Sequence, residues 1–461
     1  MHTSDPLQPV GAVPSPRQQA WHAHEFYGFL HFTVNTFTDR EWGLGNESPA
    51  IFNPSDFDAT QIVDSARRGG MHGLILTAKH HDGFCLWPSQ YTAHSVKHSP
   101  WRNGQGDVVA ELAQACAAAG LKFGIYLSPW DRNHPDYGTP AYLTYYRNQL
   151  RELLSNYGPL FEVWFDGANG GDGYYGGSYE KRSIDNTTYY EWDETFALVR
   201  ELQPDACIFS DAGPDVRWVG NEQGIAGDPC WSTIDPTGLY PGNADPALLN
   251  VGQRHGSAWL PAECDVSIRP GWFYHQHEDD KVRSPANLLE LYFASVGRGA
   301  NLLVNLPVTP AGQVHVQDRA NLLAFHALRQ QIFATNLISH AQLSTSSVYA
   351  NHMLSEADGA FWMPDSADTT PWIMAQFAAP VTVNLVDLRE HLPLGQRIDC
   401  VAIDVKTATG WREVAQVAAV GNRRLIPFDR VSTSAVRVRI VASAAPTALR
   451  ALALYDDVTR D

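Results

Sequence analysis

The stretch Phe161-Glu162-Val163-Trp164-Phe165-Asp166-Gly167 runs largely apolar and then stops on a carboxylate followed by glycine. A lone carboxylate inside such a run would be costly to bury. Asp166 therefore belongs at the rim of a core, where the end of a strand holds an acid rigidly. Groups of similar chemistry follow other apolar runs: His31 and then Glu41-Trp42, Lys79-His80-His81-Asp82-Gly83-Phe84, Tyr126 ahead of Ser128-Pro129-Trp130, Asp211, and Gly220-Asn221-Glu222. Histidines, tryptophans and carboxylates gathered without a basic cluster suit a neutral, hydroxylated ligand, and a sugar fits best.

Each group also has a plainer role open to it. Asp166 could cap the next helix or turn, His80 and His81 could form a hydrogen-bonded pair behind a site, and Glu222 could pair with Arg217. Trp42, Trp87 and Trp272 could be core aromatics. The run His275-Gln276-His277-Glu278-Asp279-Asp280 has the residue types of a metal site but reads as a solvated loop before a helix. His22-Ala23-His24 precedes the first strand, which would put it at the wrong end of a barrel for a catalytic metal. No metal and no cofactor are expected. The glycine-rich residues 167–177 lack the Lys-Ser/Thr ending of a phosphate loop and read as a loop beside the cleft.

Positioning these groups takes a repeated architecture. Eight apolar runs, at residues 26–37, 73–79, 121–128, 160–166, 206–211, 216–222, 258–265 and 301–306, alternate with helical patterns such as 107–119, 140–157 and 188–202. Eight parallel strands with helices between them close into a (β/α)₈ barrel, expected over residues 21–336 after an N-terminal extension of residues 1–20. The pattern then changes to short alternating strands, for example 381–388, 400–407 and 435–441, with turn signals at Thr409-Gly410 and Gly421-Asn422. Residues 337–461 are expected to form a β-sandwich.

A formal charge of −17 disfavours a nucleic-acid partner and an anionic membrane surface. No apolar run reaches membrane-spanning length. The six cysteines are scattered without a Cys-x-x-Cys pair. Residues 1–19 lack the basic start and apolar middle of a signal peptide, so the chain begins either cytoplasmic or already trimmed; a periplasmic or secreted location is favoured.

His31-Phe32, Glu41-Trp42-Gly43, Thr77-Ala78-Lys79-His80-His81-Asp82-Gly83-Phe84, Trp164-Phe165-Asp166-Gly167 and Arg217-Trp218-Val219-Gly220-Asn221-Glu222 together resemble the α-L-fucosidases of glycoside hydrolase family 29. The resemblance covers most of residues 21–310. It implies that Asp166 is the nucleophile, and the Gly-Asn-Glu pattern, similar to the α-1,3/1,4-specific subgroup, implies that Glu222 is the acid/base. By the same resemblance His31, Glu41, His80, His81 and Tyr126 hold the fucose hydroxyls, with Trp42 beside them and Trp272 in contact with the sugar. One departure is Thr33, where many relatives carry glycine. The implied function is a retaining exo-α-L-fucosidase acting on a fucosylated oligosaccharide or glycoconjugate. The alternatives are a broad-specificity fucosidase favouring aryl or α-1,2 links, or a fucose-binding protein without turnover. Burial and the neighbouring carboxylate are expected to raise the acid's pKa.

Overall fold

The structure, a computed structural model, describes residues 5–355, 357 and 359–460. Residues 1–4 of the expected extension lie outside the described residues.

Eight parallel strands close into a barrel: β1 (Phe26–Leu30), β2 (Gly73–Lys79), β3 (Lys122–Leu127), β4 (Glu162–Trp164), β5 (Cys207–Ser210), β6 (Val216–Trp218), β7 (Ala262–Ser267) and β8 (Asn301–Asn305). Closure comes from β1 pairing with both β2 and β8, Phe26 lying opposite Leu302. Every residue of β2 is buried, as expected for a parallel strand covered on both faces. Between the strands run α3 (Ala59–Arg68), α4 (Val108–Ala119), α5 (Pro140–Asn156), α6 (Trp192–Leu202), α7 (Pro246–Val251) and α8 (Pro285–Ala294), with α1 (Pro16–His22) ahead of the barrel, α2 (Val34–Thr38) after β1 and α9 (Val316–Ile332) after β8. Asp58 and Asp107 cap α3 and α4 by accepting from Gln61 N and Ala110 N, both at 2.9 Å.

Two sequence expectations need correction. The seventh strand does not begin at Ala258. Ala258–Trp259 pairs antiparallel with Thr233–Ile234, and β7 opens at Ala262. Pro261 stands between the two and has no N–H to continue a ladder. The expected extension of residues 1–20 also divides. Pro6, Gln8 and Val10 bond to Arg397 and Leu394 of the C-terminal domain. Residues 16–20 belong to α1, whose Gln18 donates to Asp215 O at 2.8 Å and Trp259 O at 2.7 Å under the barrel.

The barrel interior is packed with side chains. Trp21, Tyr27, Phe29, Ile75, Tyr126, Trp164, Phe209 and Leu303 form one cluster. Burying Trp21 whole contributes roughly 4–6 kcal/mol on an area basis. Glu162 and Glu263 lie fully buried in the same interior. Trp21 Nε1 donates to Glu162 at 2.9 Å, and Trp164 Nε1 (2.9 Å) and Tyr27 O–H donate to Glu263. Burial raises both carboxyl pKa values, and the charge of Glu263 adds to the rise at Glu162. Glu263 is the second residue of β7 and is engaged inside the barrel.

The C-terminal domain is one antiparallel sheet that folds over itself. Its order is β9 (Ala341–Thr345), β10 (Trp372–Glu390), β13 (Arg424–Ser443), β11 (Ile398–Thr407), β12 (Gly410–Ala418), with β14 (Leu449–Tyr455) beside the later part of β10, on the same edge as β9. Irregular register between Gln376 and Val381 divides β10, so its first part pairs with β9 and its second with β14. Ile373, Val386, Ile403, Val438 and Leu454, drawn from both parts, meet in one core around the buried Trp362.

A buried ionic junction fastens this sandwich to the barrel. Glu25, just ahead of β1, accepts from Arg389 Nη1 at 2.6 Å, Arg423 Nη1 at 2.8 Å and Tyr292 O–H at 3.1 Å. Burial would raise the Glu25 pKa, but the Arg423 and Arg389 guanidiniums together hold it at about 2. This contribution is present above about pH 4.5 and is lost as pH falls toward 2. Glu25→Gln should destabilise the protein by roughly 1.5–3 kcal/mol, because it takes one charged acceptor from Arg389 and from the buried Arg423, which keeps Asp387 at 2.7 Å. It should also flatten the acid limb of stability. Denaturant melts at pH 7 and pH 3 check this, and a wild-type midpoint at pH 7 would contradict it.

Candidate active site

The C-terminal ends of β1, β2, β3, β4, β6 and β7 and the loops beyond them surround one small pocket of about 110 Å³. Sites for drug-sized ligands run to about 300–1,000 Å³, so this one takes a single small ring. Of the residues singled out from sequence, Asp166, Glu222, His31, Trp42, His80, His81, Tyr126 and Trp272 line it.

Asp166 follows β4 directly. Tyr126 O–H donates to its Oδ2 at 2.7 Å and Ala168 N–H to its Oδ1 at 2.7 Å, which fixes the carboxylate's orientation. Gly167 is required beside it, since a Cβ there would lie 2.1 Å from Asp211 Oδ2. Asp211 stands outside the pocket lining, accepts from Gly242 N–H at 2.8 Å, and is raised to about 7 by burial, with a further push from Asp166.

Glu222 follows β6 at the mouth. Gly220 makes the turn, at φ 81° and with Pro246 O 2.2 Å from where a Cβ would be. The residue as a whole is exposed, but its carboxyl meets the pocket wall, where Trp272 Nε1 lies 3.3 Å from Oε2. Desolvation by that wall, then the charges of Asp166 and Glu41, raise the Glu222 pKa above 4.5, against the Trp272 hydrogen bond.

The histidines are neutral, and their bonds fix their tautomers. Asn305 Nδ2 donates to Ser267 Oγ and Trp272 O, so its Oδ1 accepts from His31 Nδ1–H at 2.8 Å. Ser128 O–H donates to Trp130 O at 2.6 Å, so its Oγ accepts from His81 Nδ1–H at 2.7 Å. Each ring keeps a bare Nε2 as an acceptor. His81 Nε2 stands 3.8 Å from Asp166 Oδ2, two acceptors with room for a hydroxyl that donates to one of them. Burial lowers His31 and His81 to about 4 and His80 well below 6.5. Beneath them Lys79 is buried against Asp131 at 3.1 Å and Gln149 at 2.9 Å.

Glu41 is not part of the lining. Its carboxylate accepts from Trp272 N–H at 2.8 Å, Phe273 N–H at 3.0 Å and His275 Nε2 at 2.6 Å. The 275–280 run is correspondingly only in part a solvated loop, with Gln276, His277 and Asp280 exposed. His275 and Glu278 are buried, because acidic residues from the segment after α2 fold against His275. Asp39, His275 and His277 bring donor atoms within 4.8 Å of one another. Both ring nitrogens of His275 are already bonded to carboxylates, Asp39 and Glu41.

Asp265 is a pocket residue that sequence reasoning passed over. It accepts from Trp218 Nε1 at 2.8 Å, and burial, with Glu222 adding, pushes its carboxyl well up. The alternation Glu263, Asp265, Ser267 along β7 was the available signal.

Fold and site together define a barrel glycoside hydrolase. A family model described as alpha-L-fucosidase matches residues 10–327. Alpha-L-fucosidase 1 of Arabidopsis thaliana is 44% identical over 439 residues, 92% of this chain and 84% of that protein. A glycoside hydrolase 29 family member from an unknown rumen bacterium superposes with a TM-score of 0.89 at 42% identity, covering 98% of this chain and 79% of its own. A Ruminococcus gnavus GH29 fucosidase in complex with fucose gives 0.88 at 29% identity, covering 97% and 96%. The chain belongs to the α-L-fucosidases of glycoside hydrolase family 29.

The Tyr126–Asp166 bond is testable alone. Hydrogen bonds to charged groups are worth about 1.5–3 kcal/mol, so Tyr126→Phe should cut hydrolysis about tenfold to hundredfold while the fold persists. A rate within twofold of wild type would mean that the bond does nothing for the reaction.

Proposed function

We propose that the protein is a retaining exo-α-L-fucosidase that releases terminal α-1,3/1,4-linked L-fucose from oligosaccharides or glycoconjugates. Asp166 and Glu222 facing one pocket of single-ring size is the observation that carries this reading. Asp166 attacks the anomeric carbon as the glycosidic C–O bond breaks, and Glu222 gives its proton to the departing oxygen. Glu222 then takes a proton from water, whose oxygen displaces Asp166 and frees the sugar. His31, His80, His81 and Tyr126 receive and orient the hydroxyls, and Trp42 and Trp272 flank the ring. Glu41 serves through the Trp272 backbone, whose N–H its carboxylate accepts.

The linkage choice rests on the Arg217–Glu222 motif and on Trp218, whose indole meets Asp265 at the pocket wall. A second sugar held there would contribute in the transition state. Branched α-1,3/1,4 substrates should therefore exceed an aryl fucoside in kcat/KM by about tenfold or more, which takes only about 1.4 kcal/mol. An enzyme fastest on aryl or α-1,2 fucosides belongs to the broad-specificity alternative instead.

Asp166→Gly should lower kcat by several orders of magnitude, with azide restoring part of it; more than about a hundredth of wild-type rate in a folded variant would sink the nucleophile assignment. Glu222→Ala should harm oligosaccharide hydrolysis far more than hydrolysis of activated aryl fucosides. The raised Glu222 pKa places the loss of activity on the alkaline side, as the proton leaves. Glu222→Gln should remove the part of that limb that belongs to Glu222, and an alkaline limb unchanged from wild type would reassign the acid.

A further inference from the structure

We propose that His275 is a positioning residue of this site, holding Glu41 and, through it, the Trp272 wall and the Glu222 carboxyl. This rests on the assignment of Trp272 and Glu222 to the fucose pocket.

The loop between β7 and α8 reaches the pocket with Trp272, whose carbonyl is held by Asn305. One carboxylate holds its N–H groups: Glu41 Oε2 takes Trp272 N–H at 2.8 Å, and Oε1 takes Phe273 N–H at 3.0 Å. Two backbone donors on one carboxylate fix its plane but not its charge. His275 supplies the counter-charge. Its Nε2 lies 2.6 Å from Glu41 Oε1 and its Nδ1 lies 2.5 Å from Asp39 Oδ1, so both nitrogens face carboxylate acceptors and both must carry protons. Asp39 is itself held as the C-cap of α2, in the left-handed conformation at φ 55°. The imidazolium thus bridges the segment after β1 to the loop after β7.

The charges around the ring support that form. Asp39 and Glu41 face it from the segment after α2. From its own loop, His277 is in ring contact at 5.3 Å, and Glu278 Oε2 takes Gly271 N–H at 3.1 Å. Arg269 donates to the His275 carbonyl at 3.4 Å but is itself paired with Asp279 and Asp318. Burial opposes the charge, yet the hydrogen bonds to Asp39 and Glu41 leave His275 raised above 6.5.

The far end of the clamp touches the chemistry at two points. Trp272 Nε1 meets Glu222 Oε2, and Trp272 O accepts from Asn305, which fixes His31. Loss of the imidazolium should therefore loosen the pocket wall, with its main effect on substrate affinity.

The test is steady-state kinetics from pH 5 to 9 on the full chain, with an activated aryl α-L-fucoside, for wild type, His275→Ala and His275→Gln. Glu222→Ala, assayed also on a fucosylated oligosaccharide, is the control. His275→Ala should lose about tenfold or more in kcat/KM, mostly through a higher KM. His275→Gln keeps a neutral donor toward Glu41 and should recover to within about threefold at neutral pH, without the part of the wild-type alkaline loss that belongs to the imidazolium. His275→Ala within twofold of wild type, or His275→Gln as impaired as His275→Ala or sharing the whole wild-type alkaline limb, would overturn the proposal. If His275→Ala does not fold, the pH profile of His275→Gln decides alone. A Glu222→Ala variant that hydrolyses the oligosaccharide normally would overturn the site assignment instead, so the two failures are distinguishable.

Discussion

Pairing of β1 with β8, from Phe26 opposite Leu302 to Phe29 opposite Asn305, closes the barrel, and the site depends on that closure. Asp166 follows the fourth strand, Glu222 the sixth and His31 the first, so no local segment could assemble them. Once the ring closes, every strand delivers its last residue to one rim. Tyr126 on β3 then reaches Asp166, and Asn305 on β8 reaches His31. Aromatic packing beneath the rim keeps those strand ends from collapsing inward.

The same functional group does different work according to its surroundings. Glu25, beside two guanidiniums, is an anchor that stays charged. Glu162 and Glu263, enclosed by indole and phenol donors, serve the barrel interior. Asp211, raised to about 7, sits behind Asp166 and holds Gly242. Glu222, at the edge of solvent, combines a raised pKa with access to a leaving group. Position relative to the rim, more than residue type, separates catalytic candidates from structural carboxyls.

The parts of the site legible in the sequence were those where a strand ends on its functional group. Asp166 and the His80-His81 pair announce themselves because an apolar run stops at them. The six-residue motif ending at Glu222 did the same through its Gly-Asn turn. What escaped depends on contacts between distant segments. Nothing local to residues 275–280 says that Asp39 and Glu41 fold against His275, and its polar composition pointed to solvent. Glu41 was legible as a site residue but not as the tether of the Trp272 backbone. The seventh strand was misplaced because the apolar Ala258-Trp259 precedes β7 by only a Leu-Pro interruption, and the proline that separates them looked like part of one run.

A double displacement through Asp166 is the centre of the account, and a covalent intermediate is its direct signature. The measurement is inactivation by a fluorinated fucosyl donor that forms the glycosyl-enzyme quickly and hydrolyses it slowly, followed by peptide mass spectrometry. The account predicts one sugar per chain, attached to the peptide bearing Asp166. A label on another residue, or turnover of the reagent with no covalent adduct and inverted stereochemistry, would contradict it.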